Sequence, residues 1–309
     1  MDMLYLGTSS WTNLGDQGEF YPARITGPRE KLQYYSKYFS TVEIESSRYA
    51  FLEQKNIKSW IYRTPSNFIF HVRAHAALTA HAVSHKKLPE KISSMLNLNP
   101  EDRKKDYIYV NDRRVIEAIA IEFVKTIELL KKLKKLGHII FQFPSWFYLN
   151  QLNIDHIKMC REIMKDLPLA VEFGHGSWLQ DSYRNEVFDF LERNGITYVV
   201  PDETQYGDLS TAPFFPHITT ETAYVRLHGR SQNWLEKGIH PALRYDYLYS
   251  EEEIGELLLP ILKLQDKARI TFVIFNNKEG AAIQNAFMMS TMLEKIFNHH
   301  KGMERNSLE

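Results

Sequence analysis

Short apolar runs alternate with amphipathic stretches along the whole chain, and this alternation limits the possible folds more than any other feature. The runs are 4–8 (LYLGT), 41–46 (TVEIES), 68–73 (FIFHVR), 138–143 (HIIFQF), 169–173 (LAVEF), 196–200 (ITYVV), 223–228 (AYVRLH) and 270–276 (ITFVIFN). Each has the length and the β-branched and aromatic content of a strand. Helical periodicity fills 28–39, 53–63, 113–136, 153–166, 182–194, 250–267 and 280–297. Strand followed by helix, repeated, builds a parallel sheet, because parallel neighbours need a crossover between them. About eight such units favour closure, which predicts an α/β fold of a single (β/α)8 TIM barrel over an open doubly wound sheet. The sixth unit is the weakest, since 203–222 reads as loop with little helix.

At 309 residues the chain suits one barrel, which typically needs about 250. No low-complexity linker divides it, so 1–298 is expected to be one domain and 299–309 a frayed tail. The polar segment 97–114 interrupts the third unit. It reads as an insertion after strand 3, a hairpin turning at Asn111-Asp112.

Lys plus Arg equals Asp plus Glu at 38 each, so the chain has no global attraction for nucleic acid or an anionic membrane. The single cysteine, Cys160, lies in a helical pattern and suits a reducing cytoplasm. The start MDMLYLGTSSW lacks a basic region and a long apolar run, so neither a signal peptide nor a membrane span is expected. Walker A, a G-x-G-x-x-G after a strand, G-x-S-x-G and C-x-x-C are all missing. ATPase, nicotinamide dehydrogenase and serine hydrolase readings therefore have little support.

Strand side chains alternate between faces, and the face toward the helices must be apolar. With Val42 and Ile44 outward, Glu43 and Glu45 point to the axis. By the same phase His71, Arg73, Gln142, Glu172, Tyr224, Arg226, His228 and Asn276 point inward, and Asp202 continues an inward phase of Tyr198 and Val200. Unpaired buried charge is strongly unfavourable, so this convergence marks either a site or a self-neutralising network. The natural pairs would be Glu43 with Arg73 and Glu172 with Arg226. Trp11, Trp146, Trp178 and Trp234 follow strands, while Trp60 lies in a helical pattern. Indoles at a barrel mouth stack on sugars or bases, or pack as lids over the core.

Three chemistries suit these residues. Acid–base work needs two groups with separated pKa values, and Glu172 and Glu45 are the first candidates, with His228 and His175 as alternates. An anion site is expected at the loops after strands seven and eight, which hold His228-Gly229-Arg230-Ser231 and Asn276-Asn277-Lys278-Glu279-Gly280. A divalent metal is the third. Its ligands would come from His71, His75, His81, His175, His228, Glu45, Glu172 and Asp202, with no short motif to fix them and two inward arginines to repel a cation. The sequence assigns no cofactor.

The strand ends carry LYLGTSSW, FYP at 20–22, TVEIESSRY, FIFHVRA, FQFPSWF, AVEFGHGSW, YVRLHGR and VIFNN. Each is weak alone. As an ordered set from Leu4 to about Asn285 they resemble the YecE-like family, also called domain of unknown function 72. The resemblance implies a TIM barrel of unestablished biochemical function. At fold level it is also reminiscent of the xylose-isomerase and endonuclease IV barrels, which transfers no activity. Family members typically carry Asn where Glu45 stands, Arg and Pro where Gly174 and Gly176 stand, and a longer final motif. Losing an Arg while gaining a Glu shifts the mouth toward negative charge.

The first functional expectation is an enzyme acting on a small polar substrate, phosphorylated or sugar-like. Glu172, Glu45 and His228 would do the proton chemistry, and Arg73, Arg226 and Arg230 would hold an anionic group. His71, Gln142, Asp202, Asn276, Trp11, Trp178 and His175 would complete the ligand site. The second is a protein that binds or processes nucleic acid, against which the zero net charge weighs. The third is a barrel that binds a ligand without turning it over. Oligomeric state is not legible.

Overall fold

The computed structural model describes residues 3–12, 20–207, 209, 211–235, 238 and 240–306. Its eight strands are β1 (Met3–Thr8), β2 (Thr41–Ile44), β3 (Ile69–Arg73), β4 (Leu136–Phe143), β5 (Leu169–Phe173), β6 (Ile196–Glu203), β7 (Thr222–Gly229) and β8 (Ile270–Phe275). They form a closed barrel in sequence order, every pair parallel, with β8 hydrogen-bonded back to β1. This is the (β/α)8 architecture, with each strand close to its expected segment.

The helices are α1 (Pro28–Tyr35), α2 (Gln54–Arg63), α3 (Glu90–Ser93), α4 (Arg113–Lys132), α5 (Gln151–Met164), α6 (Arg184–Arg193), α7 (Glu251–Gln265) and α8 (Glu279–Asn306). Their starts follow local chemistry. Pro28 opens α1, where its missing N–H costs nothing. Asn150 caps α5 through the Asn153 N–H, and Ser250 and Glu253 form a reciprocal capping box on α7. Among the described residues no helix joins β6 to β7, as the weak sixth unit suggests. Helix α8 runs to Asn306, through most of the stretch read as a tail, and 307–309 lie outside the described residues. Among the described residues no helix is long and apolar enough to cross a membrane.

The excursion after β3 is longer than the sequence suggests, running from 74 to 112. Its centre is not a hairpin turning at Asn111-Asp112. Asp112 instead caps α4, its carboxylate accepting the Arg114 N–H, so 113–114 already belong to the helix. An antiparallel bridge joins Val83 to Ile108, turning Ile108 and Val110 into the core and leaving Tyr107 and Tyr109 exposed.

Two separate apolar clusters show which way each strand faces. Val42, Phe70, Phe141, Phe173, Leu227 and Phe275 pack outward against the helices. A small axial cluster holds Ile140, Ala170, Val199, Tyr224, Phe272 and Ile274. Strand β6 runs in the opposite phase from the one expected. Val199 lies on the axis, while Tyr198 and Val200 pack outward. The run ITYVV is buried on both faces, so its composition carries no alternation to read. Asp202 therefore points outward, and Glu203 takes the inward place.

Candidate active site at the barrel mouth

The deepest polar layer is an ion-pair cluster around Arg226, which has no solvent exposure. Its Nε and Nη2 each donate to Glu43 at 2.9 Å, and Nη1 donates to Glu172 at 2.7 Å. The Tyr224 hydroxyl adds a hydrogen bond to Glu43 at 2.9 Å. Of the two expected pairs, Glu172 with Arg226 forms; Glu43 takes Arg226 in place of Arg73. Burial alone would weaken the Arg226 charge, but the two carboxylates outweigh it and push its pKa further up.

Glu172 is saturated. Beyond Arg226 it accepts from Gln142 Nε2 at 2.5 Å, and His228 Nε2 lies 3.1 Å from its Oε1, off the line of a hydrogen bond. Burial by itself would raise its pKa. The Arg226 guanidinium and then His228 more than offset that and hold the carboxyl well below the usual carboxylate range. Glu172 thus favours its ionised form, with one hydrogen bond at each oxygen. The Asn276 amide lies 2.7 Å from His228 Nδ1, while Nε2 has no hydrogen-bond partner among the described residues.

Glu203, absent from the expected set, stands on the inward face of β6. Opposite it β7 carries an extra residue: Asp202 pairs with Leu227 and Glu203 with Gly229, so His228 stands in a bulge. Bulges of this kind re-aim side chains beside active sites. The bulge depends on Gly229, whose φ is +90° and whose missing Cβ would sit 2.6 Å from Tyr247 Cβ. Gly229→Ala should cost about 1–3 kcal/mol of stability in urea denaturation; an alanine variant as stable as the parent would remove this account of the bulge.

Glu203 keeps some solvent access but is walled in by protein. Burial first, and the fixed charge of Glu172 second, raise its pKa well above the usual range. The nearby Ala212 backbone N–H offsets part of this, and among the described residues no side chain is bonded to its carboxyl. Three guanidiniums, Arg48, Arg73 and Arg226, face four carboxyls here, Glu43, Glu45, Glu172 and Glu203, so one carboxyl has reason to keep its proton. Tyr245 completes this side. It ends a 3-10 turn at Pro241–Tyr245 and feels Arg73, Arg226, Glu203 and Glu172, while burial keeps its phenol neutral.

On the β2–β3 side Arg73 donates to Gln142 Oε1, and its Nη1 lies 3.6 Å from Glu45. Strand β2 ends at Ile44, so Glu45 is not an inward strand residue but starts a 3-10 turn at Ser46–Arg48. Its side chain is 43% exposed. The Ser47 hydroxyl is 2.7 Å from both the Ile44 and the Arg73 carbonyl oxygens, which ties this turn to the end of β3.

The remaining expected residues lie elsewhere. His71 is sealed in the barrel below the ion-pair layer, its Nδ1 accepting the His138 N–H at 2.9 Å. Asp202 and Arg230 pair with each other outside the axis, at 2.8 and 3.0 Å. Tyr249 donates to Asp202 at 2.6 Å, and Glu253 lies 3.5 Å from Arg230. That network joins the ends of β6 and β7 to α7. Trp178 is fully buried against Phe173 and Phe147 and donates to the Phe147 carbonyl, so it is a core residue with no face for a ligand. Trp11 is nearly buried, edge-on to Trp60, and lines a side cleft of about 670 Å³ with Glu45 and Tyr49. His175 and His75 cap 3-10 turns. Among the described residues no three His, Cys, Asp or Glu side chains come together to hold a metal ion.

The family model described as "Protein of unknown function DUF72" matches residues 5–307. The chain belongs to the DUF72 family. Its relatives include the UPF0759 protein YunF of Bacillus subtilis (strain 168), 28% identical over 94% of this chain and 95% of that one. A DUF72 protein of Thermotoga maritima MSB8 shares the structure with a TM-score of 0.75 at 31% identity, covering 94% of this chain and 99% of that one. One from Enterococcus faecalis V583 gives 0.76 at 24% identity, covering 94% and 96%. None of these DUF72 descriptions states an activity, so the mouth itself has to supply the functional reading.

Proposed function

We propose that this DUF72 protein is an enzyme that transfers protons to and from a small polar substrate bound at the mouth of the barrel. Glu203 is the acid and base, Tyr245 a neutral hydroxyl donor, and Glu172, held ionised by Arg226, the fixed charge that sets the field around them. The reading rests above all on a contrast between two carboxyls: burial and then the Glu172 charge push the Glu203 pKa up, with no side-chain partner among the described residues, whereas Arg226 and His228 overcome burial and push that of Glu172 down. Two carboxyls driven apart in this way can divide acid and base roles at neutral pH. Arg73, Gln142 and Asn276 supply polar contacts around them.

The test is a panel of sugars, sugar phosphates and hydroxy acids followed by proton NMR in D2O, reading both hydrolysis and exchange of carbon-bound hydrogen. The expected result is turnover of one class, slowed about a hundredfold to ten-thousandfold in Glu203→Gln, the usual range for a general acid–base group. A class that binds without turnover, or equal turnover by the variant, would overturn the assignment. The first of those outcomes would favour the non-catalytic barrel.

A further inference from the structure

We propose that Arg48 and Arg73, with His81 beside them, form an oxyanion subsite on the β2–β3 side of the mouth. It would take a phosphate, sulfate or carboxylate group of the substrate. The proposal rests on the mouth being a substrate site and adds the class of substrate.

Arg226 is saturated by Glu43 and Glu172. Arg230 is held by Asp202 outside the axis, and Arg244 lies over the Trp234 ring at 5.2 Å. The loops after β7 and β8, where barrels often bind phosphate, have several donors committed. The Gly229 N–H goes to Tyr249, the Asn276 N–H to Leu227, the Lys278 N–H to Tyr245, and the Lys278 ammonium to Asp246. Arg73 and Arg48 are different. Arg73 has the neutral Gln142 and, at 3.6 Å, a half-exposed Glu45 that can swing aside at little cost. The Arg48 guanidinium has the ring of its neighbour Tyr49 at 5.6 Å and feels Tyr245 and Glu45, but among the described residues it makes no side-chain hydrogen bond or close ion pair.

The fold ties the turn that carries Arg48 to the end of β3. The Ser47 hydroxyl bridging the Ile44 and Arg73 carbonyls places Arg48 next to the end of β3. Burial first and Arg73 second weaken the Arg48 charge, and the half-exposed Glu45, which both guanidiniums share, only partly offsets this. His81 faces the same pair, its Nδ1 fixed 3.0 Å from Thr79 Oγ1 and its ring against Trp146. An oxyanion would relieve the repulsion and engage two planar forks of donors, the arrangement that suits phosphate and carboxylate.

The test is calorimetric titration with inorganic phosphate, sulfate and acetate at constant ionic strength in chloride. Wild type should bind at least one of them saturably. Arg48→Ala should weaken that binding about tenfold to a hundredfold, the effect of losing a charged hydrogen bond, with the melting temperature in chloride unchanged. Tighter phosphate or sulfate binding assigns a phosphoryl or sulfuryl group; tighter acetate binding assigns a carboxylate. Glu203→Gln should bind as wild type does, which separates this subsite from the proton-transfer reading: phosphate binding without any turnover leaves the subsite standing and removes the other. No saturable binding by wild type, or equal binding by Arg48→Ala, overturns it.

Discussion

Arg226→Met should lower the stability of the protein by about 3–5 kcal/mol, the typical cost of removing one partner from a buried ion pair. Methionine matches the length of the arginine stem but leaves Glu43 and Glu172 facing each other with no cation between them. Total stabilities of about 5–15 kcal/mol are usual, so the variant would be close to unfolding. The cost arises from stranded charge and not from lost attraction. Replacing Glu43, Arg226 and Glu172 together with apolar residues of similar volume should therefore recover most of it. Urea denaturation of the single and triple variants measures both. A single variant within about 1 kcal/mol of wild type would mean the carboxylates find other partners or protons, contrary to the saturated geometry around Arg226.

Glu203→Gln should stabilise the protein at pH 8 and leave it nearly unchanged at pH 4. A carboxyl with a raised folded-state pKa holds its proton more tightly in the folded chain. Its contribution is full below the unfolded value, about 4.3, and is lost as pH rises toward the folded one. Wild type therefore carries a penalty at pH 8 that glutamine, always neutral, does not. Each unit by which Glu203 is raised is worth about 1.4 kcal/mol. Glu172 has the opposite sign: its depressed pKa adds stability above the unfolded value, and that stability is lost as pH falls through the folded one. Stability curves of wild type and variant should diverge with rising pH. Parallel curves would remove the claim that Glu203 is strained by its surroundings. A variant that is more stable and less active fits a site maintained at the expense of stability.

The sequence revealed the barrel because strand and helix periods alternate in clean units, and the structure places every strand near its expected segment. It also revealed the ion-pair layer, since Glu43, Glu172 and Arg226 sit among apolar neighbours in an unambiguous phase. It failed at β6, where ITYVV has no polar face, and the inverted phase exchanged Asp202 for Glu203. It failed at Glu45, because nothing in TVEIES shows that the strand ends at Ile44. Trp178 looked like a mouth residue from its place after β5; only three dimensions reveal the Phe173 and Phe147 rings that enclose it. Arg48 and Tyr245 were missed because they sit on 3-10 turns, where no period tells which way a side chain points. The Pro201-Asp202-Glu203 sequence did hold one clue: two consecutive carboxyls at a strand end must face opposite sides, so one of them had to enter the barrel.

Glu203 is expected to hold its proton to higher pH than an ordinary glutamate, and Glu172 to lose its proton at lower pH. An infrared difference spectrum of wild type minus Glu203→Gln at pH 7 reads this directly. The account predicts the carbonyl band of a protonated carboxyl in wild type, persisting above the ordinary titration range of a glutamate and missing from the variant. A spectrum showing Glu203 as a carboxylate at pH 7, titrating near its usual value, would contradict it.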